Sequence, residues 1–65
     1  MKRGEKMSKI KELRLKRGLT QEEVAKHLGV TRTAVIYWEQ EKQSPRSRYI
    51  KPLAQILRCK VADLL

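Results

Sequence analysis

Between Lys9 and Arg17 the apolar residues Ile10 and Leu13 recur at helical spacing, and Glu12 stands one turn before Lys16, where opposite charges attract. Ser8 is placed to cap this first helix. Lys16 and Arg17 complement its negative end, and Gly18 can take the left-handed conformation that stops it. The next start signal is Thr20-Gln21-Glu22-Glu23, a capping box in which the Thr20 hydroxyl and the Glu23 carboxylate each accept from the other residue's backbone N–H. Val24, Ala25 and Leu28 then form a short apolar face that Gly29 breaks after about two turns. Thr31 caps a third helix, expected over Arg32 to Glu41, with Val35 and Trp38 facing inward. It lacks a second capping box, because Ala34 stands where Glu or Gln would be needed. Gln43, Ser44 and Pro45 read as a loop. A fourth helix is expected to start near Pro52, since proline suits a first helical position and disfavours helical geometry at Lys51 before it. Leu53, Ala54, Ile56 and Leu57 supply its apolar face, and a last short segment from Val61 to Leu65 closes the core with Leu64. No stretch reads convincingly as a strand. The pattern predicts an all-α domain of four to five short helices.

Residues 1–8 stand apart from this pattern. They carry Lys2, Arg3 and Lys6 with little apolar content, so a flexible basic arm is expected there and a single domain over 9–65. A chain of 65 residues buries only about 60% of its unfolded surface, which leaves a small core and little room for a substrate cavity. Catalysis is therefore not expected. One histidine, one cysteine and scattered acids offer no nucleophile–base set, no glycine-rich phosphate loop and no metal-ligand spacing, so neither cofactor nor metal is expected.

Charge narrows the partners. Sixteen Lys and Arg against seven acids give a formal charge of +9, a field that draws polyanions such as DNA, RNA or an anionic membrane. The apolar run Val35-Ile36-Tyr37-Trp38 is far too short to cross a bilayer, and no signal-peptide hydrophobic stretch opens the chain. A lone Cys59 makes no internal disulfide, which suits a reducing compartment. A cytoplasmic location is expected.

Two short helices joined only through Gly29 and Val30 cannot lie antiparallel. They must cross steeply, as in a helix-turn-helix, where the second helix projects into the DNA major groove. The stretch IKELRLKRGLTQEEVAKHLGVTRTAVIYWEQEKQSP, followed by KPLAQILRCKVADLL, resembles the Cro and lambda-repressor type of helix-turn-helix domain over Lys9 to Leu65. Its most specific part runs from Leu19-Thr20-Gln21 to Trp38-Glu39.

The resemblance implies roles position by position. Arg32, Thr33 and Tyr37 match base-reading positions. Gln21 matches a phosphate-binding glutamine that also braces the recognition helix, and Thr31, Lys42 and Arg46 match positions that touch the DNA backbone. Arg14 and Glu39 match a partly buried ion pair joining helix 1 to helix 3. Some of this agrees with side-chain chemistry alone: arginine can give guanine a bidentate pair, and threonine can bond a base or meet a thymine methyl. The arm residues Lys2, Arg3 and Lys6 can follow a groove. The sequence departs from the family pattern at Glu41 and Arg58, where glycine is usual, and at Lys60, where Ser or Thr usually caps.

Other residues read more plainly. Trp38 belongs in the core with Val35, Cys59 takes an apolar core position, and His27 lies on a solvated face. Lys16, Arg17 and Lys26 read as solubilising charge. Ile36, beside the Val35–Trp38 stripe, can meet a thymine methyl, pack under helix 4 or join a dimer contact. The function expected is sequence-specific binding of double-stranded DNA by a transcriptional regulator, a repressor reading an inverted repeat as a weak homodimer. No small-molecule ligand is implied. The alternative is an antitoxin or other protein-binding module on the same fold, which would have no need of polar readers at Arg32 and Thr33 or of so large a charge. RNA binding would call for an aromatic stacking platform, and only Tyr37, Trp38 and Tyr49 are aromatic.

Overall fold

The computed structural model describes residues 8–64, which form helices α1 (Lys9–Lys16), α2 (Gln21–Leu28), α3 (Arg32–Glu39) and α4 (Ser47–Leu57), followed by a 3-10 turn at Val61–Leu64. No strand occurs among these residues. The arm residues Lys2, Arg3 and Lys6, and Leu65, lie outside them.

The first three helices start on hydroxyls. Ser8 accepts from the N–H of Lys11 at 3.1 Å, Thr31 accepts from Ala34 at 3.1 Å, and Thr20 with Glu23 forms both bonds of the capping box at 3.0 and 2.8 Å. Ser8, the cap of α1, is itself buried. The apolar stripes meet in one core of Ile10, Val24, Ala25, Val35, Trp38, Leu53, Ala54 and Leu57. Val24, Val35, Leu53 and Leu57 are fully buried there. Helix α2 packs on both α3 and α4, while α1 covers α3, α4 and the 3-10 turn.

Each helix stops in the same way. A residue with left-handed φ follows the last turn, and the next N–H reaches back to the carbonyl five residues earlier. Those bonds run from Leu19 to Arg14 (3.0 Å), Val30 to Ala25 (3.0 Å), Lys42 to Tyr37 (2.9 Å) and Cys59 to Ala54 (2.9 Å). The left-handed residues are Gly18 (φ 71°), Gly29 (φ 72°), Glu41 (φ 61°) and Arg58 (φ 57°). Glu41 and Arg58 therefore keep the backbone a glycine would have taken. Their departure from the family pattern changes the strain of the turn and not its path.

Two boundaries differ from the sequence reading. Helix α3 ends at Glu39, not Glu41, because Gln40 closes the last turn and Glu41 already turns left-handed. Helix α4 begins at Ser47, about a turn and a half before Pro52, which sits inside it. Proline there removes the N–H that would bond the Arg48 carbonyl. Burial explains why the helix starts early: Tyr49 lies against the core, its ring centroid 5.9 Å from that of Trp38, on the same face as Leu53, Ile56 and Leu57. At the third departure, Lys60, the missing hydroxyl cap is replaced from the other side. The Asp63 carboxylate accepts from the Lys60 N–H at 3.1 Å.

Candidate nucleic-acid interface

Helix α3 has two sharply different faces. Val35, Trp38 and Glu39 are buried, while Arg32, Thr33 and Tyr37 are exposed. The short turn Gly29-Val30-Thr31 joins α3 to α2, on which it packs, and Thr31, Arg32 and Thr33 at its N-terminal end are exposed. That end carries no acidic side chain in its first turn. Its unpaired N–H groups add partial positive charge to that of Arg32. Ile36 is half-buried beside this surface.

Behind the exposed face lies a chain of polar contacts. Arg14 donates to Glu39 through Nε at 2.5 Å and through Nη2 at 3.2 Å, and its Nη1 donates to the Leu19 carbonyl at 2.7 Å. The two side chains are only 9% and 3% exposed. Gln21 then donates its Nε2 to Glu39 Oε1 at 3.0 Å, and its Oε1 accepts from Arg32 Nε at 3.4 Å. Four residues from α1, α2 and both ends of α3 are thus linked from the core to the surface. Among the described residues, every buried side-chain nitrogen and oxygen has a hydrogen-bond partner, which is the condition a buried ion pair needs. Arg14, Gln21 and Arg32 line an open cleft of about 570 Å³.

The remaining site residues flank α3. Thr31 is exposed, with its hydroxyl engaged as a cap. Lys42 lies with Nζ 5.8 Å from the centre of the Tyr37 ring, a cation–π distance that sets an ammonium beside the exposed phenol. Arg46 is exposed at the start of α4, where its donor-only guanidinium cannot cap the helix and donates no hydrogen bond to another described residue.

Two contacts were not read from the sequence. Arg17, grouped there with Lys16 and Lys26 as solubilising charge, donates Nε to the Leu57 carbonyl at 3.2 Å and so satisfies an orphan group at the end of α4. The Gln21–Glu39 bond is the other. Leu15, half exposed on α1, had no assigned role and receives none.

His27 is exposed, and no group of three or more His, Cys, Asp or Glu among the described residues can hold a metal ion. Burial raises the pKa of the Cys59 thiol and nearby Asp63 raises it further, against opposing influences from Arg17 and Lys9. Such a thiol stays protonated, the opposite of an activated nucleophile. No helix among the described residues is long and apolar enough to cross a membrane.

Comparison with known proteins matches residues 10–64 to the helix-turn-helix family. An HTH-type transcriptional regulator of Archaeoglobus fulgidus is 37% identical over 57 residues, covering 88% of this chain and 81% of that protein. The cryptic phage CTXphi transcriptional repressor RstR of Vibrio cholerae is 38% identical over 58 residues, covering 89% of this chain and 52% of RstR. The HTH-type transcriptional activator BcrR of Enterococcus faecalis is 35% identical, with 88% of this chain matching 28% of BcrR. No solved structure matches the chain significantly.

Proposed function

The chain belongs to the helix-turn-helix family of DNA-binding transcriptional regulators, and from that premise we propose that it reads a specific double-stranded sequence through the N-terminal end of α3. The observation that carries this reading is the division of α3 into a buried apolar face and an exposed face presenting Arg32, Thr33 and Tyr37. In the major groove, Arg32 pairs with guanine O6 and N7, Thr33 meets an adjacent base, and Tyr37 reaches one turn further along. Gln21, Thr31, Lys42 and Arg46 hold phosphates on either side. The arm residues Lys2, Arg3 and Lys6, outside the described residues, extend the contact along the duplex. No enzymatic step belongs to this reading, and the regulator acts in the cytoplasm.

One domain of this size reads too few base pairs to select a single genomic site. Two copies related by a two-fold axis would read an inverted repeat with half-sites about 10 base pairs apart, assembling weakly in solution and firmly on the operator. Repression follows most simply, because a protein seated in the groove excludes other proteins from that site. RstR is named a repressor and shares more of its length with this chain than does BcrR, named an activator.

The test is a binding selection on randomised duplexes at defined salt. Arg32→Ala is expected to cost about 1–3 kcal/mol on the selected site and to flatten preference at one base pair. Arg46→Ala should instead weaken all sequences alike and lower the salt slope by about one. Equal, sequence-independent losses from both variants would contradict the assignment. A lone half-site filled by one protomer as tightly as the full repeat would contradict the two-fold pair.

A further inference from the structure

The polar chain behind α3 has a direction, and Glu39 sets it. A carboxylate only accepts hydrogen bonds, and this one already carries two donors from Arg14. The third group on it, Gln21, must therefore turn its amide nitrogen inward, as the 3.0 Å contact shows. Its amide oxygen is left facing α3, where Arg32 Nε lies at 3.4 Å. Reversing the amide would press oxygen against the carboxylate and an NH₂ group against the guanidinium, two repulsions at once.

The consequence falls on Arg32. A guanidinium offers two bidentate edges, one made of Nε and an Nη, the other of both Nη groups. With Nε engaged by Gln21, only the end-on edge is free. We infer that Glu39 acts through Gln21 to present Arg32 end-on to the groove, and is thus a positioning residue that sets specificity at one base pair. The inference rests on the reading of Arg32 as a base reader. The second hydrogen of Gln21 Nε2 stays available to a phosphate, so the brace and the backbone contact are compatible.

The test uses the full chain and the randomised-duplex selection, with three variants. Arg14→Met/Glu39→Met replaces the buried pair by apolar groups of similar length, an exchange that cores often tolerate, while deleting the acceptor that orients Gln21. Gln21→Met removes the brace together with the Gln21 phosphate contact, whose loss weakens all sequences alike and leaves base preferences untouched, and it serves if the double variant fails to fold. Arg32→Ala removes the reader. In both methionine variants, preference for guanine at the Arg32 position should fall about threefold to tenfold, the worth of one hydrogen bond. Preferences at the other positions should stand. In the free protein, nuclear magnetic resonance should find the Arg32 Nε–H slowed in exchange in the wild type and fast in both variants. A guanine preference left intact, or an even loss at every position, would overturn the inference. If Arg32→Ala flattens a position and the methionine variants do not, the positioning role alone falls. If Arg32→Ala flattens none, the reading of Arg32 has failed first.

Discussion

Helix α2 starts on a complete capping box and stops on Gly29, whereas α4 starts on Arg46 without a side-chain cap, carries Pro52 inside and stops on the left-handed Arg58. The two pack against each other across one core. Local signals specify α2, which buries only Val24 and Ala25. Helix α4 buries Leu53, Ala54 and Leu57 and carries the half-buried Tyr49 against Trp38. Burying one leucine gains about 1.5–3 kcal/mol, against about 1 for a missing cap and about 1–2 for a left-handed non-glycine residue. The interior Pro52 adds about 3 kcal/mol to those faults, so the two fully buried leucines offset them only together with Ala54 and the half-buried Tyr49 and Ile56. A helix can be dictated by its own ends or by what it covers, and this domain uses both.

The sharpest way to break that contrast is at its tertiary side. Leu53→Ala should destabilise the domain by about 2–5 kcal/mol in denaturant unfolding, because a fully buried side chain leaves a cavity. A smaller loss is expected where α2 depends on its own end. Gly29→Ala should cost up to about 1.5 kcal/mol, since an added Cβ meets nothing within 4 Å and the left-handed strain of about 1–2 is offset in part by the roughly 0.5–1 that glycine loses to unfolded-chain entropy. The last effect has the opposite sign. Arg58→Gly relieves about 1–2 kcal/mol of left-handed strain and loses about 0.5–1 to the entropy of glycine in the unfolded chain, a net gain of about 0–1.5. Equal losses at Gly29 and Arg58 would erase the distinction between the two helices.

The same contrast explains what the sequence made legible. The starts of α1, α2 and α3 were readable because Ser8, Thr20 and Thr31 act on N–H groups three residues away. The start of α4 was not. The proline rule is local, and the turn before Pro52 is held by Tyr49 against Trp38, which lies on another helix. The end of α3 was misplaced for a related reason: Glu41 stands where the family usually has glycine and carries no residue signal of its own for a left-handed turn, yet Lys42 closes the same bond onto Tyr37. At the site, periodicity placed Val35 and Trp38 inward, while the roles of Arg32, Thr33 and Tyr37 and the pairing of Arg14 with Glu39 came through the family resemblance. The contact of Gln21 with Glu39 joins α2 to the far end of α3, and that of Arg17 with Leu57 spans 40 residues. Only the packed helices bring such partners together.

Methylation interference on the selected duplex tests most directly whether the N-terminal end of α3 reads base edges. Methylating guanine N7 blocks the acceptor that Arg32 would use in the major groove. The account predicts one guanine per half-site whose methylation abolishes binding by the wild type and has no further effect on Arg32→Ala. An interference pattern that Arg32→Ala leaves unchanged, or one confined to phosphates with no base involved, would contradict it.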